Sequence, residues 1–167
     1  MEKVTGRPLG EEITRRVIER AGLRHTYFRT PTGTTMTPKA ALTTSPTRIR
    51  PRGWAAGQII SAPRDVNRLF SALLVGRPPP AAQLKQMRTT VPAPAPGNGV
   101  RYGLGLTSTP LTCGGVAWGH GGDFPGYHAS DAVTTDGRAA TIAVTELSGS
   151  PARPQHLTTD IDTALRQ

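Results

Sequence analysis

Val100-Arg101-Tyr102-Gly103-Leu104-Gly105-Leu106 is where the chain changes its period, and that change decides the fold. Val100, Tyr102, Leu104 and Leu106 alternate with Arg101, Gly103 and Gly105, the two-residue repeat of a strand with one buried face. Upstream, the ordered stretches repeat at helical spacing instead. Leu9, Ile13, Val17 and Ala21 recur every four residues and predict a helix over Pro8 to Ala21, with Glu12 and Arg16 one turn apart and Gly22 as its cap. Ser61 and Pro63 open a second helix, whose Val66, Leu69, Phe70, Leu73 and Leu74 form an apolar stripe ended by Gly76. A shorter helix, Ala81 to Met87, follows the break at Pro78-Pro79-Pro80.

Between the first two helices, Arg24 to Arg52 has no sustained period and reads as a long loop with room for a short hairpin. Val91 to Gly99 reads as an extended Pro-Ala-Gly linker. Downstream of the period change, Val116 to His120, Tyr127 to Val133 and Ala139 to Glu146 are expected strands, the last two joined by a tight turn at Asp136-Gly137. Gln155 to Arg166 is an expected helix that lays Leu157, Ile161 and Leu165 on the sheet. Helices, then short-looped strands, then one helix predict an α+β fold with an antiparallel sheet. The expected organisation is a partial helical region with long loops over residues 1–98 and a sheet-and-helix part over 99–167.

Composition narrows the function classes. The 167 residues are 36% apolar and include 19 glycines and 16 prolines, which predicts a globular fold with many loops. The formal charge is +9, and 17 of the 20 basic residues are arginine. Only Arg48, Arg50 and Arg52 cluster, among Pro and Thr with Trp54 nearby, so the charge reads as solvated surface and no nucleic-acid partner is expected. No 18-residue apolar run marks a transmembrane helix. The start, Met1-Glu2-Lys3-Val4, lacks the apolar core of a secretory signal, which reads as cytoplasmic if Met1 is the true start. Cys113 is the single cysteine and has no internal disulfide partner.

Gly119-His120-Gly121-Gly122-Asp123-Phe124-Pro125-Gly126-Tyr127 joins two expected strands. Glycines here clear side chains from a strand, so that a substrate backbone can lie against it and meet its N–H groups. An oxyanion hole or a strand-addition site needs such a surface. A Gly-rich hairpin in which His120 merely caps a turn accounts for the same residues. As metal ligands, His120, Asp123 and His128 match no closed zinc pattern, so neither metal nor cofactor is expected. His25 and His156 read as surface residues, Cys113 as incidental, and Trp118, Phe124 and Trp54 as packing residues or cleft borders.

The whole string resembles the third motif of the penicillin-recognising serine hydrolases, the β-lactamase and D-Ala-D-Ala carboxypeptidase family. Three further stretches match that family in order: Lys3-Val4-Thr5-Gly6 with the helix to Leu23, Trp54 to Ser61 with Asp65, and Tyr102-Gly103-Leu104-Gly105-Leu106. The resemblance implies a β-lactamase/transpeptidase-like fold and an acyl-enzyme hydrolysis of amide, ester or β-lactam carbonyls. It implies that His120 takes the basic position, that Gly121 and Gly122 line the substrate, and that Asp123 gives a backbone N–H to the oxyanion hole. Partners would be a peptide, ester or β-lactam small molecule, and the family is typically secreted or periplasmic.

Two family motifs do not occur. Ala82 and Met36 lie three residues before Lys85 and Lys39, and Lys3 has no such predecessor, so no Ser-x-x-Lys is present and the nucleophile is missing. No Tyr or Ser has Asn two residues on, so Tyr-x-Asn and Ser-x-Asn are absent too. The expectation is therefore a C-terminal fragment of such a hydrolase, inactive alone; that it is the complementing half of a split enzyme, partnered by a missing N-terminal half, stands as an alternative. Another alternative is a non-catalytic module that binds a peptide or cell-wall ligand.

Overall fold

The computed structural model describes residues 1–29, 57–93, 99–124, 127–145 and 153–166. The chain opens with α1 (Glu2–Thr5) and continues into α2 (Leu9–Ile13), a π-helical turn (Thr14–Ile18) and α3 (Glu19–Ala21), closed by Gly22 at φ 65°. The expected uniform α-helix is thus corrected. Apolar residues four apart drift around a helix of 3.6 residues per turn, and the wider π turn takes up the excess. Ile18, Ala21 and Leu23 are buried there, with Ile13 packed against them.

Glu12 was expected to pair with Arg16 one turn on. It is fully buried, and its carboxylate pairs with Arg7, Arg15 and Arg16, the last by a very short contact. Burial pushes this carboxyl up, but the hydrogen bonds and charges of Arg16 and its neighbours outweigh burial and hold it below the ordinary value.

β1 (Tyr27–Phe28) pairs antiparallel with β2 (Ile59–Ile60), a strand that lies beyond the Arg24 to Arg52 loop in which a short hairpin was expected. Most of that loop, with the Arg48 to Arg52 cluster and Trp54, lies outside the described residues. The next helix, α4 (Pro63–Leu74), is not capped by Ser61: Ala62 holds the N-cap position and no side chain caps it. The Ser61 hydroxyl instead lies 2.8 Å from that of Thr26. Asp65 is buried and accepts hydrogen bonds from His25 N–H at 2.6 Å and Thr26 Oγ1 at 2.9 Å, tying the chain after α3 to α4. Leu69 and Ala72 of α4 pack on the α3 cluster. α5 spans Ala81–Met87, as expected.

Seven strands form one antiparallel sheet: β3 (Val91–Pro92), β4 (Arg101–Tyr102), β5 (Thr107–Pro110), β6 (Val116–Gly119), β7 (Gly122–Phe124), β8 (Tyr127–Thr134) and β9 (Ala139–Val144). Two expectations fail at its start. Val91 and Pro92, assigned to a linker, pair with Tyr102 and Arg101. The expected strand from Val100 to Leu106 stops after Tyr102, because Gly105 takes a left-handed φ of 71° and Gly103 N–H turns back onto the Leu106 carbonyl at 2.7 Å. Leu104 is consequently exposed while Leu106 is fully buried.

β8 is the centre of the sheet. β9 runs along one edge from His128↔Val144 to Val133↔Ala139, joined through the Asp136-Gly137 turn with Gly137 at φ 95°. Helix α6 (Arg153–Leu165) covers one face, burying Ile161 and Leu165 against Leu111, Ala117 and Ala132. α4 packs on β8 and β9, where Asn67 Oδ1 lies 2.6 Å from the Thr141 hydroxyl.

Candidate active site

β6 and β7 occupy the same edge of β8. Trp118 faces Val133 and Gly122 faces Ala129, an advance of four residues on both strands, so the ladder keeps one register across the gap. β9 fills the opposite edge of β8 over those same residues, which leaves β7 no other place. The expected strand ending at His120 is therefore one long strand broken at His120 and Gly121, with its pairing to β8 lapsing from Gly119 to Gly121. Its second piece, β7, escaped the sequence reading because glycines carry no apolar period.

The interruption has a steric and a polar cause. A Cβ on Gly119 would sit 2.0 Å from the Asp131 carbonyl oxygen, so the two strands approach here only because residue 119 has no side chain. The next backbone N–H, of His120, is taken by the Asp131 side chain at 3.1 Å. Burial raises the Asp131 carboxyl to about 7, with the His120 hydrogen bond pulling the other way.

That hydrogen bond also fixes which way the strand's polar groups point. N–H and C=O groups of successive residues alternate between the two edges of a strand. His120 N–H points toward β8 and the Gly119 carbonyl accepts from Thr107 Oγ1 on the β5 side at 2.8 Å. The alternation then aims the N–H groups of Gly121 and Asp123 away from β8. β5 pairs only as far as Gly119, and among the described residues β8 is the sole strand that pairs with β7. The result is an open strand edge carrying those two donors. A Cβ on Gly122 would meet nothing within 4 Å, so space lies beside the strand at that position.

His120 stands at the mouth of this edge. Its Nδ1 lies 2.5 Å from the Gly121 carbonyl oxygen, which can only accept, so Nδ1 carries the proton. With the proton on Nδ1 alone, Nε2 accepts from the Tyr102 hydroxyl at 2.7 Å, and the two rings meet edge to face with centroids 5.7 Å apart. Tyr102 and Asp131 were not among the expected site residues. Both contacts join residues more than ten positions apart, and no sequence spacing signalled either.

Asp123 and His128 form a cross-strand pair on the β7–β8 hairpin, with a very short contact from the carboxylate to Nδ1. The Asp123 side chain thus faces His128 while its backbone faces the open edge. No group of three or more His, Cys, Asp or Glu fit for a metal occurs among the described residues. Trp118 packs with the Arg88 guanidinium 5.3 Å above its ring. Cys113 is exposed, and no helix among the described residues is long and apolar enough to cross a membrane.

The profile of the Beta-lactamase family matches residues 1–165. Among solved structures, the chain is similar to a D-stereospecific amidohydrolase from Streptomyces sp., with 34% identity and a TM-score of 0.65 over 87% of this chain and 46% of that one. It is similar in fold to the D-amino acid amidase of Ochrobactrum anthropi, with 22% identity and a TM-score of 0.76 over 99% of this chain and 52% of that one. A Beta-Lactamase/D-Alanine Carboxypeptidase from Pseudomonas syringae matches with 15% identity and a TM-score of 0.65 over 96% of this chain and 54% of that one. The chain spans about half the length of these proteins.

Proposed function

We infer the function of this chain, which belongs to the beta-lactamase family of serine hydrolases, from the wall that His120 and the open edge of β7 build. The chain supplies the carbonyl-binding wall of an acyl-enzyme site for amide substrates, and the nucleophile comes from residues outside this sequence. The observation that carries this reading is the Tyr102–His120 hydrogen bond of 2.7 Å, which holds an imidazole beside an edge with outward N–H groups.

In this site the substrate backbone lies along Gly121 and Gly122, where no side chain blocks it. The Asp123 N–H donates to the carbonyl oxygen as negative charge develops on it, one of the donors an oxyanion hole requires. His120 Nε2, turned toward the Tyr102 hydroxyl, takes up a proton during acylation or returns one to the leaving amine. The third motif lacks a hydroxyl residue at Gly121, which removes a donor suited to a substrate carboxylate. That favours amides and esters over strict carboxypeptidase or β-lactam substrates. The similarity to a D-stereospecific amidohydrolase at 34% identity supports amides of D configuration as the class.

Ser-x-x-Lys and Tyr-x-Asn do not occur in the sequence, so the chain alone is expected not to acylate. The test is complementation. Mixed with a polypeptide that carries both motifs of the family, the chain is expected to release ammonia from D-phenylalanine amide faster than from its L enantiomer. His120→Ala is expected to lower kcat about a hundredfold, within the range for loss of a general acid–base group. Equal turnover with and without this chain would refute the proposal. The open edge also supports a second reading, addition of an extended peptide without chemistry. Peptide binding unaccompanied by any turnover in the mixture would favour it.

A further inference from the structure

We propose that Asp131 is a positioning residue for His120: its carboxyl stands in for a backbone acceptor and sets the break in the strand that carries the imidazole. This deepens the reading of His120 as a proton-transfer group and rests on it, while its direct readout needs no nucleophile.

The register sets the two residues opposite each other. Trp118 faces Val133 and Gly122 faces Ala129, so the same ladder carried across the gap puts His120 against Asp131. In an unbroken antiparallel ladder the His120 N–H, which points toward β8, would meet the Asp131 carbonyl. That carbonyl is instead pressed against Gly119, where a Cβ would sit 2.0 Å from it, and the N–H goes to Asp131 Oδ1 at 3.1 Å. One residue thus supplies both the crowding carbonyl and the substitute acceptor.

The carboxyl gains little else from its place. Among the described residues the His120 N–H is the one group that hydrogen-bonds it, and burial raises it to about 7 against that bond. A carboxyl held out of water for a single neutral donor costs stability, and groups kept at such a cost gather at functional sites.

From the break the effect reaches the ring. Gly121, the residue after the anchored N–H, gives its carbonyl to His120 Nδ1 at 2.5 Å and keeps the proton there, which leaves Nε2 to accept from the Tyr102 hydroxyl. Without an acceptor on the side chain at 131, the His120 N–H loses its partner, the backbone at His120 and Gly121 shifts to find another, and the Gly121 carbonyl moves off Nδ1.

The experiment is NMR on the 167-residue chain. The wild type is expected to show a through-hydrogen-bond coupling between the His120 amide nitrogen and Asp131 Cγ, and a ring that is mainly Nδ1–H. Asp131→Asn keeps an acceptor oxygen and is expected to preserve the tautomer ratio. Asp131→Leu removes it and is expected to raise the Nε2–H population severalfold, an effect that a merely structural role would not produce. No coupling in the wild type, an unchanged ratio in Asp131→Leu, or as large a change in Asp131→Asn as in Asp131→Leu would overturn the proposal. Should Asp131→Leu fail to fold, the wild-type coupling and the Asp131→Asn ratio decide it. In the complemented enzyme Asp131→Leu is expected to lower kcat about tenfold or more with KM little changed, and Asp131→Asn to restore it. A shifted tautomer with unchanged kcat would support the positioning of the ring and contradict its part in proton transfer.

Discussion

The Tyr102 hydroxyl donates to His120 Nε2 across 2.7 Å, joining the last residue of β4 to the interruption between β6 and β7. The Gly121 carbonyl holds Nδ1 of the same ring, so the imidazole is gripped at both nitrogens and its protonated site is defined.

Removing one side of the grip is expected to loosen the tautomer. In Tyr102→Phe the Nε2 lone pair loses its donor, a neutral hydrogen bond worth about 0.5–1.5 kcal/mol. The wild-type ring is expected to be mainly Nδ1–H by two-dimensional imidazole ¹⁵N spectra, and the variant to gain an Nε2–H population severalfold. An unchanged tautomer ratio would mean that Tyr102 does not act on the ring.

Asp131 predicts a pH dependence of stability. Its folded pKa, raised by burial to about 7, lies above the unfolded value of about 3.9, so between those limits the folded state binds the extra proton. The contribution is fully present below about pH 4 and lost as pH rises toward 7, at no more than about 1.4 kcal/mol per pH unit. Chemical denaturation of Asp131→Asn is expected to lack this slope, since the amide stays neutral while its oxygen still accepts from His120 N–H. Identical pH profiles for the two proteins would count against the assignment.

Gly119 and Gly122 should respond differently to the same substitution. Gly119→Ala drives a Cβ to 2.0 Å from the Asp131 carbonyl and is expected to destabilise the chain by about 2–4 kcal/mol. Gly122→Ala meets nothing within 4 Å and is expected to change stability by less than about 1 kcal/mol while lowering substrate affinity in the complemented site. Denaturant midpoints and KM values check the pair.

Leu165 is about 1% exposed at the seam of α6 and the sheet. Leu165→Ala is expected to cost about 2–5 kcal/mol, with the spread set by how far the seam collapses. A cost under about 1 kcal/mol would show that α6 does not hold the sheet face.

Much of this architecture was legible because it is local. Leu69 and Leu73 mark α4 at their proper spacing, Asp136-Gly137 marks the β8–β9 turn, and Ile161 with Leu165 mark the buried side of α6. Reading failed where the backbone departs from its period. Gly105 in a left-handed turn cuts the expected Val100 to Leu106 strand, and the glycines around His120 hide β7. The buried Glu12 was unreadable for another reason: one carboxylate serves three arginines, and Arg7 reaches it from outside its helix. At the site, motif matching pointed to His120, Gly121, Gly122 and Asp123. The partners that orient His120, Tyr102 and Asp131, meet it only through the sheet, and no spacing encodes such a contact.

The central claim is that this chain is one wall of a serine-hydrolase site and lacks its nucleophile. The most direct test is covalent labelling with a fluorescent fluorophosphonate, read by mass, of the chain alone and of the chain mixed with a polypeptide carrying Ser-x-x-Lys and Tyr-x-Asn. The account predicts no adduct on this chain in either sample, and an adduct on the second polypeptide that forms only in the mixture and falls sharply with His120→Ala. A stoichiometric adduct on any serine of this chain alone would contradict it.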